Sequence, residues 1–219
     1  ISASSSLRNT IYFNRSNPIF GMNYTVRTNQ NKNLLTSGFE GRSLTSNSID
    51  IRWNIAKKFT LRNKSEVISK SRLSELSQEN NYEIESYIIE PKITYQKGSR
   101  FRSSINSAIK NKKNIMAHGG EKAEFKKLGI EINYNLITKG RITGGVDYIS
   151  TTFSGNQGNS SPLIFDMLEG FQIGTNYTWS TSYQRSFKNN FQLSLRYEGR
   201  KSETSKTVHT GNMQIQLLF

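Results

Sequence analysis

The feature that most constrains this chain is a two-residue period. Phe191-Gln192-Leu193-Ser194-Leu195-Arg196-Tyr197-Glu198 alternates apolar and polar side chains without a break, and Met213-Gln214-Ile215-Gln216-Leu217-Leu218-Phe219 nearly does. Successive side chains of an extended strand point to opposite faces, so each segment reads as a strand with one greasy and one wet face. The alternation returns at Phe20, Met22, Tyr24 and Val26; at Ile49, Ile51, Trp53 and Ile55; at Ile130, Ile132, Tyr134 and Leu136; and at Tyr177, Trp179, Thr181 and Tyr183. No helical period runs over a comparable length. The pattern predicts about twelve strands, near residues 6–14, 19–28, 34–43, 47–56, 58–69, 82–96, 99–110, 122–136, 140–153, 171–186, 190–200 and 206–219. Many approach the roughly 9–11 residues that cross a bilayer at a tilt. Residues 1–5 read as a linker or the start of a fragment, and residues 6–219 as a single barrel domain. The opening Ile-Ser-Ala-Ser-Ser-Ser is no signal peptide, so the chain reads as a processed product or a fragment.

The connections alternate in length. Short ones are expected at Asn29 to Asn33, Ala56 to Lys57, Lys97 to Gly98, Ile137 to Lys139 and Phe187 to Asn189, and longer ones at Lys70 to Asn81, Asn111 to Glu121, Ser154 to Gly170 and Lys201 to Ser205. Short and long ends then fall on opposite sides, as in an outer-membrane barrel with tight periplasmic turns and longer outer loops. Two short connections, Arg15 to Pro18 and Leu44 to Ser46, fall on the outer side and break the rule. An even strand number puts both termini on the periplasmic side. Every backbone polar group must be paired in hydrocarbon, so the first strand is expected to pair with the last.

Composition decides which face is wet. By parity the polar face carries Arg8, Arg27, Glu40, Arg42, Asp50, Arg52, Arg62, Glu66, Lys92, Arg102, Glu131, Arg141, Asp147, Arg196 and Glu198, all candidate lumen-lining residues, with Lys64, Glu90 and Lys110 beside them. A soluble barrel of about twelve strands would have to fill its interior with the apolar set, and that interior is too wide for it. Turned inside out, the apolar face meets lipid and the charges pair across a wet lumen. Aromatic residues give two girdles: Phe59, Tyr95, Phe101, Tyr134, Phe191 and Phe219 near the short turns, and Phe20, Tyr87, Phe125, Phe153, Phe171 and Tyr197 toward the long loops. The fold class read from the sequence is therefore all-β, a closed antiparallel up-and-down transmembrane barrel.

The formal net charge of +14 raises the possibility of nucleic acid. Its lysines, however, recur in the expected turns, as Lys32, Lys57, Lys97, Lys139 and Lys188, where they would meet anionic headgroups. The segment Asn111-Lys112-Lys113-Asn114 is likewise placed to meet lipopolysaccharide. Membrane lipid is the expected partner, and nucleic acid is not. With no cysteine and only His118 and His209, neither a disulfide framework nor a common zinc site is supported, and no cofactor is expected. The pair Gly144-Gly145 lies inside a strand and reads as a bend, not a phosphate loop.

The ending His209-Thr210-Gly211-Asn212-Met213-Gln214-Ile215-Gln216-Leu217-Leu218-Phe219 resembles the terminal strand of bacterial outer-membrane proteins. The resemblance implies an assembly signal formed by Met213, Ile215, Leu217 and Phe219, and a transient partner in the barrel-assembly machinery. It departs at Gln214, where the usual glycine would fall. The stretch from Phe165 to Phe219, about a quarter of the chain, also resembles the C-terminal region of large Gram-negative envelope proteins, which implies a location and the company of other envelope proteins. The function that follows is a membrane anchor or narrow anion-favouring pore of the bacterial outer membrane, the barrel domain of a larger envelope or secretion protein. Two alternatives stay open: a lipid or lipopolysaccharide hydrolase using His209 with Ser202 or Ser205 on an outer loop, and a soluble β-rich binding module.

Overall fold

The computed structural model describes residues 2–35, 38–75, 78–136, 140–155, 162–187 and 191–217. They form one antiparallel sheet in which each strand pairs with its neighbours in sequence: β1 Ser2–Phe13, β2 Phe20–Leu35, β3 Gly38–Ala56, β4 Phe59–Ser74, β5 Tyr82–Lys97, β6 Phe101–Asn114, β7 Lys122–Leu136, β8 Gly140–Ser154, β9 Gly174–Ser186, β10 Phe191–Ser202 and β11 Val208–Leu217. A short helix, α1 Pro162–Leu168, lies between β8 and β9, and a 3₁₀ turn at Gln78–Asn80 precedes β5.

Where twelve strands are expected, the described residues form eleven. Those expected at 34–43 and 47–56 are the single 19-residue β3, and the connection expected at Leu44 to Ser46 lies in its middle. The small polar residues there imitate a turn, yet Leu44 pairs with Asn29 on one side and with Lys70 on the other. The turn expected at Asn29 to Asn33 is also strand, and Lys32 sits within β2 with its ammonium 4.4 Å from the centre of the Phe39 ring. Residues 2–5, read as a linker, belong to β1 and pair with Gln30–Asn33; a serine run offers no alternation to read, but its backbone pairs like any other. These mergers move the Arg15 to Pro18 connection to the short-turn end. The β2–β3 connection at the long-loop end includes residues 36 and 37, which lie outside the described residues; so do residues 137–139 of the turn expected there and residues 188 and 189 of the turn expected at Phe187 to Asn189. Lys97-Gly98 does turn, with Gly98 at φ +60°, a region that suits glycine. In an eleven-strand meander Ser2 and Leu217 lie at opposite ends of the sheet, and no β1–β11 pairing exists among the described residues.

Register fixes which residues share a face. Arg8 pairs with Arg27, which pairs with Ser46; Arg52 pairs with Arg62 and Arg62 with Lys92, and the same parity continues to β11. The opposite face carries the exposed large apolar residues, among them Ile11, Trp53, Ile89, Ile105, Leu128, Ile130, Val146 and Met213; Ile89 and Ile130 are each 51% exposed. On β5 this outward set runs Tyr87, Ile89, Pro91, Ile93 and Tyr95. At about 3.4 Å per residue it covers roughly 27 Å along the strand, which tilt brings near the ~25 Å apolar belt of outer-membrane barrels.

The polar face is the inner side of a curved sheet. α1 is only seven residues long, about 10 Å. Its loop nonetheless meets side chains from β4, β5, β6, β7 and β8, which would span roughly 19 Å if flat. A small apolar cluster forms there: Tyr82, Ile84, Ala123, Phe125, Ile149 and Met167, flanked by Phe153, Leu163 and Phe171.

Candidate functional site

All fifteen residues expected on the polar face lie there by register, and most meet an opposite charge. Glu40 accepts from Arg42 and from Arg72, each at 2.7 Å. Asp50 pairs with Arg62 at 2.5 Å, Glu66 with Lys64 at 2.6 Å, Asp147 with Lys127 at 3.0 Å and Glu198 with Arg196 at 2.5 Å. Lys92 on β5 reaches over β6 to Glu131 on β7 at 2.6 Å, and Ser104 Oγ donates to the same carboxylate from beneath. Arg52 donates to the Asn17 carbonyl at 2.7 Å, and Arg141 to Asn133 Oδ1 at 2.9 Å. Arg8 and Arg27 stand opposite each other. This is an ionic wall with partners arranged across strands.

The strongest cluster was missed by parity because one half of it lies in a connection. Asp166 lies in α1, and Glu169 follows its last residue with a backbone φ of 52°; both meet lysines of the inner face. Asp166 pairs with Lys70 at 2.7 Å and accepts the Tyr82 hydroxyl; Glu169 pairs with Lys112 at 2.8 Å and Lys110 at 3.0 Å. Lys112 also donates to the Asp166 carbonyl at 2.8 Å. Burial pushes both carboxyls upward, but the ammonium of Lys70 and the Tyr82 hydroxyl at Asp166, and Lys112 with Lys110 at Glu169, outweigh it and hold both below the ordinary carboxylate range. Met167, fully buried, is the apolar foot of the same segment. The sequence signal was two acids spaced three apart in an otherwise apolar stretch, Leu163-Ile164-Phe165-Asp166-Met167-Leu168-Glu169.

A second anchor holds the loop where it rejoins the sheet. Asn176, 2% exposed, donates to the Gln172 carbonyl at 2.7 Å and accepts from Ser202 Oγ at 2.6 Å. The loop after β8 is thereby bound over the polar face at its long-loop end.

Lys112, expected at an outer surface, is therefore an inward, buried residue of β6, while Lys113 points outward. The girdles are corrected in the same way. Phe59, Tyr95 and Phe101 form a ring-to-ring row, with centroids 5.1 and 6.3 Å apart, and Tyr134 pairs with Phe101. Phe191 begins β10 at the same end, which Phe20 joins because β2 starts there; Phe219 lies outside the described residues. Toward the long loops, Phe125 and Phe153 face inward, and Phe171 packs on Phe125 with centroids 6.4 Å apart. The outward upper row is instead Tyr87, Tyr148, Tyr177, Trp179 and Tyr197, with Tyr148 against Tyr177 at 5.5 Å.

Of the hydrolase candidates, His209 and Ser202 lie on opposite faces. His209 Nδ1 shares a hydrogen bond of 2.8 Å with the Tyr197 hydroxyl on the outward face, whereas Ser202 is bonded to Asn176 on the inner face. His118 is exposed on the β6–β7 loop. At Gly144 and Gly145 an added methyl would make ordinary contacts, so nothing there requires glycine. Met213, Ile215 and Leu217 point outward from β11.

The described residues thus form an up-and-down antiparallel sheet with an apolar outer face and an ionic inner face. The structure is similar to the crystal structure of the outer membrane transporter YddB from Escherichia coli, with a TM-score of 0.60 at 10% identity, covering 97% of this chain and 36% of that one. The chain thus spans about a third of the length of the protein it resembles, and at that identity the likeness concerns the fold. No family model matches the chain, and no curated protein does.

Proposed function

We propose that this chain is a stretch of transmembrane wall in a bacterial outer-membrane barrel, with its apolar face in lipid and its ionic face lining a water path that favours anions and is narrowed by the loop bearing α1. The carrying observation is the inside-out partition: exposed Ile, Leu, Val and aromatic side chains on one face, ion pairs on the other. A soluble module would bury the first set. Short turns then face the periplasm and the long loops face outward. Lys113 and Lys122, paired on the outward face beyond the upper tyrosine row, are set to meet lipopolysaccharide, and Lys57 and Lys97 to meet inner-leaflet headgroups. Met213, Ile215 and Leu217 would present the outward pattern read by the assembly machinery.

Strand parity supports a larger barrel. β1 and β11 are both odd-numbered in the meander, so they run parallel, and both leave a backbone edge unpaired among the described residues. Closing such a sheet with antiparallel pairs alone takes an odd number of further strands, which gives an even total, as is the rule for single-chain bacterial barrels. Lipid demands closure of some kind. The wall would then serve a larger envelope protein as anchor or pore.

The decisive experiment expresses the protein with an export signal and follows it through membrane fractionation, then records conductance of the purified material in planar bilayers. Recovery in the outer-membrane fraction with anion-preferring conductance is expected. Recovery as a soluble periplasmic protein would overturn the proposal, and cation preference would overturn its pore component.

A further inference from the structure

Three cations stand side by side on the polar face near the short turns, and the carboxylates beside them account for only two. Arg52 is directly opposite Arg62, and Arg62 directly opposite Lys92, so one row across β3, β4 and β5 holds three positive charges at neighbouring positions. Like charges placed opposite each other work against strand pairing. Asp50 accepts from Arg62 Nε through both oxygens at 2.9 Å, and Glu131 takes Lys92. Arg52 has no carboxylate within ion-pair distance among the described residues. Its guanidinium lies over Gly21, where an added Cβ would sit 3.1 Å from Nη2, and its bond to the Asn17 carbonyl aims it without neutralising it. Arg102, two inward positions nearer the turns on β6, is exposed and has no carboxylate partner either among the described residues. Arg15 stands at the margin with its guanidinium carbon 4.6 Å from the centre of the Tyr12 ring. These five cations line one cavity of about 360 Å³, whose only acidic lining residue among the described residues is Asp50 and which also presents Thr60 and Thr94.

We infer that this cavity binds a multiply charged oxyanion of the phosphate class, dissolved in the water path. Guanidinium forks match the paired oxygens of phosphate, and a ligand with several anionic oxygens can engage cations from three strands at once, where a single carboxylate would engage one fork. A concave, charged wall also concentrates such an anion before contact. The inference rests on the proposal that the polar face is wetted.

The test measures binding of pyrophosphate by calorimetry to the full chain reconstituted in lipid nanodiscs at low salt. Saturable binding is expected, weakened at least tenfold in Arg52→Gln/Arg102→Gln and less than twofold in Lys201→Gln/Lys206→Gln, which removes equal charge elsewhere. Arg52→Lys, which keeps the charge and loses the fork, should fall between and serves where the double variant does not fold. Absence of saturable binding, equal weakening in both double variants, or an unchanged Arg52→Lys would overturn the site. Site-specific binding without conductance would support this site while counting against the pore; anion-preferring conductance without saturable binding would overturn the site and leave the pore standing.

Discussion

At the residue scale, Lys112 and Glu169 make the sharpest statement. The Lys112 side chain is 7% exposed and Glu169 34%, so removing the acid leaves a buried ammonium short of its partner. Glu169→Ala is expected to weaken docking of the α1 loop by about 1–3 kcal/mol, the usual penalty for a buried polar group left unsatisfied, discounted from the larger cost of a fully buried pair because Glu169 keeps some water. Hydrogen exchange at the amides of residues 162–171 would report it; unchanged protection would show that Met167 alone holds the loop. The sign of the pH dependence follows from the same contacts. Asp166 and Glu169 are both held below their ordinary values, so their contribution is fully present above about pH 4–4.5 and is lost as pH falls through the lowered folded-state values. Exchange in residues 162–171 should stay slow at neutral and mildly acidic pH and rise only below that range. Loss of protection already near pH 6 would contradict the assignment. On the outward face, an added Cβ at Gly199 would fall 2.1–2.4 Å from the Trp179 ring, closer than any real contact, so Gly199→Ala must displace the indole from His209, now 6.0 Å away between ring centroids. A shifted Trp179 emission in a Trp53→Phe background is the expected result; coincident spectra would mean that the ring has room to spare.

At the element scale, strand length and strand identity separate. Alternation identified β5, β7, β8 and β10 within a few residues, because each carries enough apolar residues on its outward face to show the period. It divided β3, because the outward apolar signal of that strand begins only at Ile49 and the upper part, Gly38 to Ser48, is polar on both faces apart from Phe39 and Leu44. A strand of 19 residues outreaches a bilayer crossing of about 9–11; on the proposed placement the excess projects on the long-loop side, where water would cover both faces and no pattern is needed. The two tryptophans test this placement. Trp53 lies on β3 near the short turns and Trp179 on β9 toward the long loops, both outward. In bilayers carrying brominated acyl chains, each is expected to be quenched most by bromines near the headgroups and least by those at the chain ends. Quenching strongest at the midplane would overturn this placement of the two tryptophans, and no quenching at all would take the outward face out of lipid.

At the scale of the whole molecule, parity controls what the sheet can do. Its edge strands run parallel, so a single copy cannot close by antiparallel pairing of β1 with β11. Cysteines introduced in place of Thr10 and Gln214, one on each edge strand and both on the inner face, are expected to form no disulfide within one chain under mild oxidation; efficient intramolecular crosslinking would mean that the sheet closes on itself through a parallel seam. The sequence by itself determined the strand class, the outward and inward partition and the ionic character of the inner face, because a period of two binds each residue type to one side of any extended chain. It also placed its fifteen candidates on one common face, since parity survives errors in strand ends. Tertiary structure alone decided the strand count, the side on which the Arg15 to Pro18 connection lies, and which charges meet. Those depend on register between strands and on the curvature that brings Lys70, Lys112, Asp166 and Glu169 together from β4, β6 and the loop around α1, and neither register nor curvature is written in the period of a single strand.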